Sequence, residues 1–436
     1  MARIAGIVVL ALAGCSSGAD GPPLTVRVPQ ANVLLLCIDT LRADALGTYG
    51  QPLATSPTID ALATRSVVFE RAWTQYTWTL PSFVSYMTST YARTHGWRAK
   101  MAQFETYPLM DTDVPTLAGT LRDAGWVTNA QMGNGHLTKD LAFDQGFDVW
   151  VNGLDKGVVR GAEADLKRWA GDPKPHFLYV HLKGPHVGLL PTAEALAAIG
   201  SDLPPPAKPG YGYDYYYSAR EEDKADHLAT FRTAYHASVY DADVRIAQVL
   251  TALEATGEAD KTVIVLFSDH GENLGANGQL GHNRSAREEV TRVPLLIHVP
   301  GQAPTRVGGP VARLIDLAPS VVDAVGVPIP SSWQGVSWYQ KRPDAVTIAE
   351  RDDLVAVTEN GVRRLVSEPA KGDHSFDLGA DPDELTALAA DPALLADKAA
   401  WEGATPVGTP GPIREALAED ERVQEAARLK ALGYVE

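Results

Sequence analysis

The chain has 436 residues, of which 45% are hydrophobic and 21% charged, with 38 Gly, 30 Pro, 2 Cys and a formal net charge of −16. This balance excludes collagen-like, coiled-coil and disordered states, and the length suits one large domain accompanied by a smaller one. With 38 Lys and Arg against 54 Asp and Glu, no basic excess is available to neutralise a phosphate backbone, and nucleic acid is excluded as a partner.

In chain order, Arg3 precedes an apolar stretch over residues 4–13, about half of the roughly 20 residues that a membrane-spanning helix needs. The stretch closes on Leu12-Ala13-Gly14-Cys15, followed by Ser16-Ser17-Gly18. Those four residues resemble the lipobox of bacterial lipoproteins. The resemblance implies a signal peptide over 1–14 and a lipidated Cys15. The protein is then expected to be exported and lipid-anchored in the bacterial cell envelope, at the outer membrane on its periplasmic or surface face. Cys37 remains as the only other thiol, which excludes an internal disulfide framework. Residues 15–30, with three prolines after Asp20, read as a tether.

A continuous apolar run over 33–38, without alternation, predicts a strand covered on both faces, and it ends in Asp39. Similar runs recur over 127–130, 177–180, 263–267 and 295–299, with helical patterns between them over 59–64, 117–124 and 239–253. In the last of these, Val239, Ala242, Ile246, Leu250 and Leu253 fall on one face. Buried strands alternating with helices predict an α/β domain on a mostly parallel sheet sandwiched by helices, over 31–345. Ligands bind such sheets outside the carboxyl ends of the strands. The segment 203–217, rich in Pro and then in Tyr, reads as a loop, either solvated or an aromatic lip over a substrate cleft. From about 346 the texture changes to short strands and an acidic, alanine-rich stretch. A small C-terminal α+β subdomain is expected over 346–436, with strands near 346–349 and 355–358 and a last helix over 413–432.

Two of the buried strands end in acidic residues, in Ile38-Asp39-Thr40 and in Ser268-Asp269-His270-Gly271-Glu272. Neighbouring parallel strands would bring Asp39, Asp269 and His270 to one rim, where two carboxylates and an imidazole suit a divalent cation. In Thr77-Trp78-Thr79-Leu80-Pro81-Ser82, Pro81 suits the first turn of a helix. Thr79 then sits at or just before the N-terminus, where an unpaired backbone favours an anion.

Taken together, the pattern resembles the sulfatase family of the alkaline phosphatase superfamily, over nearly all of the chain after the leader. The matching segments run from Asp39 with Leu41-Arg42-Ala43-Asp44, through Thr79-Leu80-Pro81-Ser82-Phe83, Gly146-Phe147-Asp148 and Tyr179-Val180-His181 with Pro185-His186. They continue through Ser268-Asp269-His270-Gly271-Glu272, Gly281-His282 and Arg292-Val293-Pro294 to Phe376-Asp377-Leu378. The resemblance implies a metal-dependent hydrolase of anionic esters. Sulfatases oxidise a Cys or Ser to formylglycine where this chain has Thr79, and their signature Arg is replaced by Phe83. Thr79 instead resembles the direct threonine nucleophile of superfamily members that act on phosphodiesters. A phosphodiester, phosphonate or phosphate ester is therefore expected ahead of a sulfate ester. The alternatives are a true sulfuric ester hydrolase and a non-catalytic, lipid-anchored binder of anions or glycans.

The resemblance also implies one metal ion, held by Asp39, Asp269, His270 and Thr79: Ca²⁺, Mn²⁺ or Mg²⁺ ahead of Zn²⁺. Thr40 stands where many sulfatases carry a further metal-binding Asp. His186 and His282 match positions that act as general acid and as charge stabiliser. Asn134 replaces a customary Lys, so that Asn134 and His136 are expected to bind the anion by hydrogen bonds. His181 is expected behind the ligands. The expected partners are an anionic ester substrate, carried on a glycan or a lipid head group, and a membrane through the anchor at Cys15.

Overall fold

Strands apolar on both faces need cover on both faces, and that requirement organises the molecule. The computed structural model describes residues 22–408, apart from 98–108, 111–112, 207–210, 277, 283–284, 309–311, 342–345 and 369–370, together with residue 427. The expected signal peptide, Cys15 and, apart from residue 427, the helix expected over 413–432 lie outside the described residues.

In the opening strand Asn32–Ile38, Val33, Leu35 and Cys37 point into one hydrophobic cluster and Leu34, Leu36 and Ile38 into another. It lies inside an eight-stranded sheet whose spatial order is Thr305–Val307, Val67–Phe69, Leu295–His298, Thr262–Phe267, Asn32–Ile38, His176–Leu182, Val127–Met132, Val149–Asn152. Helices Pro57–Ala63, Asp155–Trp169 and the 33-residue Lys224–Thr256 cover one face. Thr79–Thr88, Leu117–Asp123 and Leu317–Ala324 cover the other. The apolar stripe read at 239–253 is the buried stripe of the long helix. Among the described residues, no helix is long and apolar enough to cross a membrane.

The sequence pattern misleads at three places. Leu295–His298 runs antiparallel to Thr262–Phe267. A parallel neighbour would need a crossover that returns the chain to the far end of the sheet. Here the connection is used up in turns, two-residue bridges and the short helix Glu288–Thr291 at the same end. The described part of the expected tether is docked rather than loose: Leu24 is fully buried, Arg27 pairs with Asp323 at 2.5 Å, and the Val28 and Gln30 amides donate to Ala324 and Val325. In the tyrosine-rich segment, Tyr213–Tyr217 forms a short helix.

From Val346 a separate five-stranded antiparallel sheet begins, closed by helix Pro392–Ala404. Its Arg364, fully buried, pairs with Glu384 at 3.0 Å and reaches Thr358, Thr291 and the Ala286 carbonyl. Glu384 in turn accepts the Glu288 amide at 2.6 Å, so the small sheet grips segment 286–291 of the large one. Arg364→Met is expected to cost about 3–5 kcal/mol, because it leaves the Glu384 carboxylate buried without its cation. Chemical denaturation checks this, and Arg364→Met/Glu384→Gln is expected to recover part of the loss.

Candidate active site

Asp39 directly follows the last residue of one central strand and Asp269 stands two residues past the end of its neighbour, and the register Cys37↔Phe267 brings both to the same sheet rim. Asp39, Asp269 and His270, all fully buried, offer ligand atoms within 4.8 Å of one another. His270 Nε2 is 3.5 Å from Asp39 Oδ1 and 3.6 Å from Asp269 Oδ2. Its Nδ1 donates to the Gly271 carbonyl at 2.9 Å, which leaves Nε2 as the lone-pair nitrogen. Gly271 is a glycine because the Glu289 carbonyl occupies the space of a Cβ, and its amide donates to Val290.

The electrostatics fit a cation. Asp39 Oδ1 and Asp269 Oδ2 are buried without a hydrogen-bond partner. Burial, and then the charge of Asp39, hold Asp269 well above the usual carboxylate range. Burial would raise Asp39 too, but His181 behind it and the histidines grouped around it outweigh burial and hold Asp39 low. Burial, then the neighbouring His282, push His270 down to about 3, so its imidazole is neutral and able to ligate. Two buried carboxylates facing one another, each with an unpaired oxygen and with a neutral imidazole beside them, form a donor set that a divalent ion would satisfy.

Thr79 opens helix Thr79–Thr88, with Trp78 in extended conformation as the residue before it. The hydroxyl of Thr79 meets the side chains of Asp39, His270 and Asn134 rather than a backbone group of the helix. Thr79 Oγ1 lies 3.3 Å from His270 Nε2 and 3.5 Å from Asp39 Oδ2. Pro81 falls in the first turn, and Ser82 ties the entry down by donating to the Tyr76 carbonyl at 3.1 Å. Phe83, at the signature Arg position, is buried against Tyr86, Phe143, Trp150 and Tyr179, and so belongs to the core. Thr40 has a φ of 57°, unusual for a β-branched residue, and its hydroxyl donates to the Asp39 carbonyl at 2.7 Å.

Asn134 joins this group from the inside. Its Nδ2 donates to Asp39 Oδ2 at 2.9 Å and to Thr79 Oγ1 at 3.2 Å, and its Oδ1 accepts the His136 amide at 2.9 Å. Asn152 holds the same turn by donating to the carbonyls of Asn134 and Leu137. His136 thus enters the network through its backbone. His181 stands behind Asp39, with Nε2 3.7 Å from Asp39 Oδ2 and Nδ1 2.8 Å from the Tyr179 hydroxyl. His282 sits beside His270 and His186, with ring centres 4.4 and 5.3 Å away. Burial, aided by His282 and Lys183, pushes His186 well below its ordinary value. Burial would lower His282 as well, but Glu272 and then Asp39 hold it above.

Three groups escaped the sequence reading. Lys183, its ammonium lowered by burial against the opposing pull of Asp155 and Asp39, is a basic side chain within electrostatic reach of Asp39 and His186. Its place between His181 and His186 was the available signal. Glu272 and Arg42 lie within two of the matching motifs, and Arg42 bonds Glu289 at 2.7 Å and the Glu272 carbonyl at 3.1 Å.

Fold and site together define a hydrolase acting on ester bonds, built on an alkaline-phosphatase-like sheet. The Sulfatase family model matches residues 31–327, and the chain belongs to the sulfatase family, which is metal-dependent. It is 26% identical over 385 residues to iduronate 2-sulfatase of Mus musculus, covering 69% of each chain. A solved 2-O glycosaminoglycan sulfatase superposes with a TM-score of 0.68 at 20% identity, over 86% of this chain and 91% of the other. The phosphonate monoester hydrolase of Silicibacter pomeroyi also gives 0.68, at 22% identity over 86% and 94%.

Proposed function

We propose that the protein hydrolyses an anionic ester through Thr79 as a direct nucleophile, with a phosphodiester, phosphonate or phosphate ester preferred over sulfate. The observation that carries this reading is the Thr79 hydroxyl, 3.3 Å from His270 Nε2 and beside the Asp39, Asp269 and His270 set. Neither Cys nor Ser stands there for oxidation to formylglycine.

Asp39, Asp269, His270 and Thr79 would hold one divalent ion, with Ca²⁺, Mn²⁺ or Mg²⁺ ahead of Zn²⁺ given the oxygen-rich set. Such an ion lowers the barrier to ionising a nearby hydroxyl and polarises a substrate oxygen. Thr79 Oγ1, its proton released to solvent, attacks the phosphorus in line as the bond to the leaving oxygen breaks, and the alcohol leaves with a proton from His186 or His282. Water then attacks the esterified Thr79, the same histidine takes its proton, and the anion is released. Asn134 orients the Thr79 oxygen before attack. Lys183 adds positive potential for the substrate anion, a contribution the overall charge of −16 does not make.

The similarity to glycosaminoglycan-directed sulfatases supports an anionic glycan as the carrier of the ester and favours sulfuric ester hydrolysis as the second reading. Anchoring through Cys15 in the cell envelope completes the proposal. A panel of para-nitrophenyl phosphate, phosphodiester, phosphonate and sulfate esters, with the metal-loaded protein, tests it. The fastest turnover is expected on a phosphodiester or phosphonate. Fastest turnover on the sulfate overturns the preference, and no turnover on any ester overturns the enzymatic reading.

A further inference from the structure

The tyrosine-rich segment, unexplained by the reaction so far, reaches the site through Glu272. Glu272 is 1% exposed and its backbone is held at both ends: its amide donates to the Glu289 carbonyl at 3.1 Å and its carbonyl accepts from Arg42. Its carboxylate lies between two groups. On one side His282 Nδ1 stands 3.3 Å from Oε2 and 3.4 Å from Oε1; on the other, the Tyr213 hydroxyl donates to Oε2 at 3.0 Å.

The same segment also grips the backbone just before His282. The ring of Tyr213 lies over Gly281, whose φ is +92° and where a Cβ would come within 3.2 Å of Tyr213 Cζ. The Leu280 amide donates to the Tyr217 hydroxyl at 3.1 Å. One short helix, Tyr213–Tyr217, therefore touches His282 twice, through the backbone of the two preceding residues and through the carboxylate that holds its ring. With Nδ1 engaged by Glu272, Nε2 is the ring nitrogen left for substrate.

We propose that Tyr213 and Glu272 are positioning residues that fix the ring of His282, with Nε2 presented to the leaving oxygen of the ester. The tyrosine-rich segment thus serves as a brace for the leaving-group histidine. This rests on the reading of His282 as the residue that protonates the leaving group, and it commits His186 to the transferred anion. Tyr213 supplies a neutral donor, so it orders the carboxylate without removing its charge. Glu272 acts on the reaction only through His282.

The test uses aryl esters of whichever anion the enzyme cleaves fastest, from para-nitrophenyl, which leaves without a proton, to unsubstituted phenyl, which needs one. Tyr213→Phe keeps the ring over Gly281 and removes only the hydroxyl. It is expected to lower kcat on the phenyl ester about tenfold, a fraction of the 10²–10⁴ that a positioned acid contributes. KM is expected within about twofold of the parent, and the loss on the para-nitrophenyl ester is smaller. Glu272→Gln is expected to lose more, in the same pattern, and in a His282→Ala background neither substitution is expected to lower turnover further. Metal content and unfolding temperature, read for each variant, identify any that fail to fold. Equal losses on the two esters in the first turnover, before the esterified Thr79 is hydrolysed, or full losses that persist in the His282→Ala background, overturn the brace. If His282→Ala impairs the phenyl ester and Tyr213→Phe does not, the brace falls and the reading of His282 stands. If His282→Ala matches the parent while Thr79→Ala is inactive, both fall.

Discussion

Thr79→Ala is expected to reduce kcat/KM on an anionic aryl ester by about 10⁴-fold or more, the scale on which loss of a nucleophile registers in enzymes that form a covalent intermediate. Fold and metal content are expected to survive. The hydroxyl meets side chains rather than a backbone group of the helix, and Asn134 Nδ2 keeps its 2.9 Å bond to Asp39 when Thr79 Oγ1 is gone. The stability change should therefore stay within about 1 kcal/mol, the net worth of one modest hydrogen bond. Thr79→Ser restores an oxygen at the same position and is expected to retain measurable turnover. Steady-state kinetics, elemental analysis and thermal unfolding on the three proteins decide the matter. Turnover by the alanine variant within tenfold of the parent would remove Thr79 from the reaction.

Asp269→Asn is expected to abolish both metal binding and turnover while making the metal-free protein more stable. In the metal-free parent, burial and then Asp39 raise the Asp269 pKa in the folded state, so the native protein binds a proton there more tightly than the unfolded chain does. By linkage, that contribution favours folding most below the ordinary carboxylate range, and it is lost as pH rises through the folded value. Toward alkaline pH the parent without metal carries this burden increasingly. An asparagine carries none: its Oδ1 can still accept the His270 amide, as Asp269 Oδ1 does at 3.0 Å, and its Nδ2 can donate to Asp39. The expected result is an unfolding temperature a few degrees above the chelated parent at pH 8, with the gap closing toward pH 4. The metal-loaded parent should lie above both, because an ion that binds only the native state stabilises it. A chelated parent that equals the loaded one in stability and activity would argue against an ion at this rim.

Much of this site was legible before folding. The run 33–38 declared a strand buried on both faces because it never alternates, and the same holds for 263–267; the first is followed at once by Asp39 and the second, after Ser268, by Asp269. Two such strands in one parallel sheet leave few arrangements, and adjacency of Asp39 and Asp269 is the simplest. Thr79 was legible from Pro81, which can stand only near the start of a helix. The direction of Leu295–His298 was not, because an apolar run looks the same read either way. The docking of residues 24–30 escaped for a related reason: prolines and a few polar residues suggest a tether, and only the surface beneath shows Gln302, Asp323 and Tyr339 waiting for it.

The sequence by itself determined the α/β architecture and the opening and closing of the central strands, and it singled out Asp39, Thr79, Asp269 and His270, which the fold brings together at one rim. These are local properties: hydrophobic periodicity, a proline, and the residue that follows a strand. Only the tertiary structure decided what surrounds them. It turned Asn134 inward to Asp39 and Thr79, buried Phe83 in an aromatic cluster, placed Lys183 within reach of Asp39, and joined Tyr213 through Glu272 to His282. Tyr213 and Glu272 stand 59 positions apart in the chain, and their 3.0 Å contact exists because the packing of the long helix Lys224–Thr256 and the turns after His270 brings them together. Contacts of that range carry no periodic trace in a sequence.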